Sequence, residues 1–269
     1  MKTSNIFYAL LMGMLITSCK PTDYTQEAAD IPVIEAFLVP GKVPEVTITR
    51  IIPYAADEAD SIAVPLAGLD VNLKIKGSDY ILREDTAGSG KYRYPADSML
   101  IHPGDTIVLH TLYHGAVIES STVVPSAPAS LKMSTDILYY TSGNPSSWLS
   151  AGEIDLTWEN SAADFYYITV ENVETSPVAL NTMAENMPKF GSSPPSKGNQ
   201  FRIGMRNVTY YGTHRVIVYH VNPEFAELFD NPGMSTVAMT EPPTNIKNGL
   251  GIFTAVYPDT LYFEVKKLN

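Results

Sequence analysis

Leu69-Asp70-Val71-Asn72-Leu73-Lys74-Ile75-Lys76 alternates four apolar side chains with four polar ones. Successive strand residues point to opposite faces, so this octet reads as a strand with one buried and one wet face. A helix would scatter the same apolar residues around its axis. Gly77-Ser78-Asp79 then turns the chain into Tyr80-Ile81-Leu82. The same grammar extends in both directions. Val33 to Val39 is apolar and stops at Pro40-Gly41, and Val46 to Ile51 alternates. Asp85 to Lys91 (DTAGSGK) is a hairpin-type loop before a short strand at Tyr92 and Tyr94. Thr106 to Leu112 and Ala116 to Val124 flank His114-Gly115 as a second hairpin. Residues 31–125 therefore read as an N-terminal, immunoglobulin-like β-sandwich.

Pro125-Ser126-Ala127-Pro128 reads as an extended, exposed domain boundary. Beyond it the pattern restarts, and 126–269 reads as a second sandwich. Leu131 to Tyr140 holds one strand. Ile154, Leu156 and Trp158 share one face of the next, and Tyr166, Ile168 and Val170 share one face of another. A Trp and then a Tyr on early strands resemble a fibronectin type III sandwich, in which an aromatic fills the space between sheets. Ser176 to Asn199 carries Pro177, Pro188, Pro194 and Pro195 and reads as a long surface insertion, with at most a short helix near Val178 to Asn186. Strands resume at Phe201 to Tyr211 and His214 to Val221. One helix follows, with Asn222 as cap, Pro223 in its first turn, and Phe225, Leu228 and Phe229 on one face. The last strands are Gly251 to Val256 and Thr260 to Val265. The expected fold is all-β, two tandem sandwiches with one short helix.

The N-terminus reads as an address. Lys2 is followed by an uncharged apolar run, Ile6 to Ile16, too short for a membrane span of about 20 residues. It ends in Ile16-Thr17-Ser18-Cys19, which resembles the bacterial lipobox. That assigns 1–18 as a signal peptide, Cys19 as the lipidation site and 19–30 as a polar tether. Several buried acyl chains, each methylene contributing about 0.8 kcal/mol, anchor a protein firmly. Lys20, in place of Asp after the Cys, favours the outer membrane. The alternative is a signal peptide cut elsewhere.

Composition removes several functions. Cys19 is the one Cys of the chain, so neither an internal disulfide nor a Cys-based zinc cage can form. Eighteen basic against 29 acidic side chains give a formal charge of −11, which opposes nucleic-acid binding. No catalytic residue is assigned, and no cofactor or metal is expected. His110 and His114 are four apart, but on a strand that separates them by about 13 Å. His214 and His220 fall on a strand pattern as ordinary satisfied or solvent-facing side chains. Asp57, Glu58 and Asp60 lack the ordered spacing of a calcium loop and read as solvated. No Gly-x-Ser-x-Gly elbow occurs. Aromatics are the remaining lead: Tyr139-Tyr140, Trp148, Tyr166-Tyr167 and Tyr210-Tyr211. One member of each strand pair faces outward, where Tyr and Trp serve protein or sugar contacts.

The lipobox ending in Cys19, the strand Val33-Ile34-Glu35-Ala36-Phe37-Leu38, the pair Leu156-Thr157-Trp158 and Phe165-Tyr166-Tyr167, and the ending Asn245-Ile246-Lys247-Asn248-Gly249-Leu250-Gly251-Ile252-Phe253 together resemble a family of Bacteroidota outer-membrane lipoproteins, domain of unknown function 4249. The resemblance covers nearly the whole chain after Cys19. Family members more often have Gly at the places of Ala36 and Thr254. It implies a non-enzymatic lipoprotein, on the periplasmic face or the cell surface, that accompanies a TonB-dependent receptor. Direct glycan or peptide binding through exposed aromatics is the alternative. No catalytic residues come with the resemblance.

Overall fold

The structure is a computed structural model and describes residues 30–50, 63–96, 101–140, 152–229 and 243–268. The Asp57–Asp60 cluster, Trp148, Cys19 and the signal segment lie outside the described residues. In the first half the strands are β1 (Pro32–Leu38), β2 (Glu45–Arg50), β3 (Val64–Pro65), β4 (Val71–Ile75), β5 (Ser78–Glu84), β6 (Lys91–Arg93), β7 (Thr106–Tyr113) and β8 (Ala116–Val123). The second half has β9 (Ala129–Met133), β10 (Ile137–Tyr140), β11 (Ile154–Glu159), β12 (Phe165–Asn172), β13 (Phe190–Ser196), β14 (Gln200–Ile203) and β15 (Gly212–Val221). A four-residue helix, α1 (Pro223–Ala226), and a turn of 3-10 helix (Glu227–Phe229) lead to the last strand, β16 (Leu250–Lys267). The fold is all-β, as expected.

The octet that opened the reading becomes β4, with Val71, Leu73 and Ile75 buried. Its neighbour β5 turns a corner. Ser78 to Leu82 pair with β4, whereas Arg83 and Glu84 pair with β6. One layer is thus β6-β2-β1-β16 and the other β4-β7-β8. Between them lie Ile34, Ile48, Leu73, Leu109 and Phe253, all essentially inaccessible. Tyr92 joins this core with its hydroxyl occupied. It donates to Leu66 O at 2.6 Å and accepts from Leu69 N at 3.1 Å, tying down the loop before β4. The DTAGSGK loop is a β5–β6 hairpin turn whose Gly88 and Gly90 have positive φ.

The second core packs β14-β11-β9 against β13-β12-β15-β16-β10, a three-plus-five sandwich that follows the fibronectin type III kind with β10 added beside the end of β16. Trp158 and Tyr166 meet inside it with centroids 5.2 Å apart. The insertion departs from expectation. Residues 182–186 form turns rather than a helix, and Phe190–Ser196 is an edge strand despite its prolines. Tyr166 pairs with Ser196 and Ile168 with Ser193, so one extra residue bulges on β13 where Pro194 and Pro195 sit. An edge bulge tolerates a missing N–H. Leu131 to Tyr140 splits into two strands in different sheets, and the strand expected at 201–211 is confined to β14.

The chain then returns to the first core. Leu250 to Ala255 of β16 pair in parallel with β1, and Gly212 to Val221 of β15 pair with Val256 to Val265. Ile246, Phe253 and Ala255 belong to the first core, Phe263 and Val265 to the second. The 125/126 division of the sequence therefore leaves part of the first core at 243–256. Two strands were expected here, parted at Pro258. A single strand runs through because, among the described residues, only β15 flanks Val256 to Phe263. Pro258 sits where the strand behaves as an edge.

The joint is polar and partly buried. Asn222 occupies the N-cap position of α1, yet its side chain makes no capping bond. Its amide instead donates to Thr122 Oγ1, Val123 O and Ala255 O at 2.9, 2.8 and 3.2 Å. Glu224 accepts from the hydroxyls of Thr122 and Thr254. The connection at 125–128 is also pinned: Pro125 and Pro128 are buried, and Ser126 O lies 2.9 Å from His220 Nδ1.

The ending Asn245 to Phe253 has a mechanical role. The Asn245 side chain pairs with Phe253 in the manner of a strand neighbour, at 2.7 and 3.0 Å. Lys247 exchanges backbone hydrogen bonds with Glu119, covering the edge of β8. Gly251 has φ +97°, and a Cβ there would stand 2.0 Å from Ile34 O. Gly251→Ala should therefore cost at least about 3 kcal/mol, read as a lower urea midpoint. Gly115 has φ +79° with nothing within 4 Å of a Cβ, so Gly115→Ala should cost only about 1 kcal/mol.

Candidate functional site: an aromatic face across both halves

Odd-numbered residues of β12 point away from the second core, and the register sets Tyr167 beside Tyr219. Their rings lie 5.9 Å apart. Pro223 starts α1 immediately after β15, which lays Phe225 over Tyr167 at 5.4 Å. One turn later Phe229 reaches the same ring at 5.5 Å. Phe37 of β1 completes the group, edge-on to Phe225 at 6.1 Å. Phe37 remains 42% exposed and Phe229 39%. The face is built from strands of both halves, brought together by the β15-β16-β1 order. Below Tyr219 on β15, Arg215 pairs with Glu171 across β12.

The Tyr139-Tyr140 and Tyr166-Tyr167 pairs are split as strand geometry requires, whereas Tyr210-Tyr211 lies between β14 and β15 and is split by the turn there. Tyr166 and Tyr210 are buried; Tyr167 and Tyr211 are half-buried. Tyr139 is exposed and Tyr140 half-buried. No local pattern marks Phe37, Tyr219 and Phe225 as neighbours. The helix signal around Phe225 and Phe229 was the available clue.

The histidines take separate roles. His110 faces out from β7, opposite Glu119 and Asn72. His114, in the β7–β8 turn, reaches Asp30 at 2.9 Å. Tyr113 donates to Asp30 at 2.7 Å and Arg50 lies 2.9 Å away. The Tyr113 hydroxyl, with His114 and Arg50, holds the Asp30 carboxyl below its ordinary value. The end of the expected tether is thus clamped to β2 and the β7–β8 turn. Among the described residues no group of three His, Cys, Asp or Glu is arranged around a metal position. Nor is any described helix long and apolar enough to cross a membrane.

His214 is buried against Phe263, with rings stacked at 5.1 Å. Nδ1 faces Gly212 O at 3.0 Å, and Asn172 Nδ2 lies 3.4 Å from Nε2. Burial pushes its pKa down against the smaller pull of Gly212 O. The unfolded chain takes up this proton below about pH 6.5 while the folded chain resists it. The stabilisation is complete above that pH and is lost as pH falls. Unfolding free energy should fall between pH 7 and 5.5 by up to about 1.4 kcal/mol per pH unit from this group. His214→Gln should flatten that part of the urea-unfolding profile.

No family model and no curated protein matches the chain. Among solved structures, the crystal structure of the FN1-FN3 domains of chicken CNTN1 is similar, at 12% identity and a TM-score of 0.25. The match covers 87% of this chain and 69% of that chain. The all-β sandwich fold rests on the strand pairing given above, independently of this likeness.

Proposed function

We propose that this protein is a non-enzymatic outer-membrane lipoprotein, anchored through Cys19, that docks on a TonB-dependent receptor. The observation that carries the reading is the aromatic face. Aromatic side chains are enriched at protein interfaces, and the residues that dominate binding cluster near the interface centre. Phe37, Phe225 and Phe229 lie on such a face, together with Tyr167. The lipobox-like Ile16-Thr17-Ser18-Cys19 supports the anchor, and Lys20 after it supports the outer membrane. The resemblance to the Bacteroidota lipoprotein family supports the partner class. The clamp on Asp30 supports a defined exit for the tether, close to the β7–β8 turn.

The test is a pull-down from detergent-solubilised outer membrane. Wild-type protein should recover a β-barrel receptor, and the double variant Phe37→Ser, Phe229→Ser should recover at least about tenfold less. Absence of any receptor from the wild-type eluate contradicts the reading, and a flat glycan array then removes sugar binding as well. Cys19→Ala should abolish palmitate labelling and membrane retention. Labelling that survives in that variant contradicts lipidation at Cys19.

A further inference from the structure

A cavity of about 200 Å³ opens at the edge of the second sandwich, beside β13 and away from the aromatic face. Its floor is apolar, made by Ile168, Val170 and Val208 of the second core. Its rim carries Lys189 and Arg206, and among the described residues no Asp or Glu lines it. In a chain with a formal charge of −11, two cations without a carboxylate mark a local preference for an anion. His214 also lines the cavity, but burial disfavours its charged form, so Lys189 and Arg206 on the rim supply the positive charge.

The walls are held before any ligand arrives. Thr209 Oγ1 donates to Pro188 O at 3.2 Å, and the Tyr210 hydroxyl donates to Met187 O at 2.6 Å. These bonds join the 187–189 and 208–210 segments, both of which contribute to the lining. Arg206 rides on a tight turn closed twice by Asn207. Asn207 N donates to Gly204 O, and Asn207 Oδ1 accepts from Gly204 N, both at 2.9 Å. Lys189 Nζ is steadied by Glu174 O at 3.3 Å. A pre-organised site loses less entropy on binding. The volume equals roughly seven waters, below the roughly 300 to 1,000 Å³ of sites for drug-sized ligands. It accommodates one group of side-chain size.

We propose that this cavity binds a small amphipathic carboxylate. Its apolar group lies against Ile168, Val170 and Val208, and its carboxylate pairs with Arg206 and Lys189. A guanidinium donates two parallel hydrogen bonds to a carboxylate, which distinguishes the acid from an amide of the same shape. A free branched acid and the carboxyl terminus of a peptide share this chemistry. The site is separate from the receptor-docking face, so either reading can fail without the other.

Calorimetric titration of the detergent-solubilised full-length protein tests the proposal. The probes are isocaproate, isocaproamide and N-acetyl-alanyl-leucine. At least one carboxylate should bind saturably at one site per chain, about tenfold or more tighter than the amide. Arg206→Gln should weaken it by a similar factor without moving the thermal midpoint. Binding of the peptide alone assigns a chain end as ligand, whereas equal binding of isocaproate assigns a free acid. No saturable binding of either carboxylate overturns the proposal. So does binding that survives amide replacement or Arg206→Gln undiminished.

Discussion

Gly251 lies so close to the backbone of Ile34 that a Cβ there would stand 2.0 Å from the Ile34 carbonyl oxygen. That approach lets the start of β16 run in parallel against β1, and much else depends on it. The strand buries Phe253 and Ala255 in the first core and then, about 30 Å further along, Phe263 and Val265 in the second. Two sandwiches that follow one another in sequence are thereby stitched by one strand. Asn245, Lys247 and Asn248 hold the lead-in by bonding to Phe253, Glu119 and Val117. The ending that most strongly suggested a family is therefore a structural clasp.

The clasp also shapes the surface. Because β16 separates β1 from β15, Phe37 stands near Tyr167, Tyr219 and the helix after β15. Asn222 and Glu224 fix that helix to Thr122, Val123, Thr254 and Ala255. A partly buried network with its members partnered specifies a single arrangement more sharply than apolar contact alone. The aromatic face thus owes its shape to the joint, and a change at Asn222 reaches the surface through the helix.

Local pattern was legible where the local chemistry alone decided the outcome. Alternation at Leu69 to Lys76 specified β4, and Ile154, Leu156 and Trp158 pointed inward as their period requires. Gly88 and Gly90 marked a hairpin. Local pattern misled where a distant partner decided. Prolines at 194 and 195 argued for a loop, but an edge bulge absorbs them. Pro258 suggested a break, yet the strand has one neighbour there. Asn222 was read as a cap, and tertiary carbonyls took its amide. Of the aromatic face only the helix with Phe225 and Phe229 was legible, because Phe37 comes from a strand far away in sequence, and the cavity beside β13 was not legible. Prolines 125 and 128 signalled an exposed linker and are instead buried beside the joint.

The central claim is that β16 makes the two cores one cooperative unit. Native-state hydrogen exchange on the full chain, followed against denaturant, measures it at the amides of Phe253 and Phe263. These residues sit in different cores on the same strand. The account predicts that both exchange through one global opening, with opening free energies equal within about 0.5 kcal/mol. Opening free energies that differ by more than about 2 kcal/mol, with separate denaturant dependences, would show two independently unfolding sandwiches and contradict it.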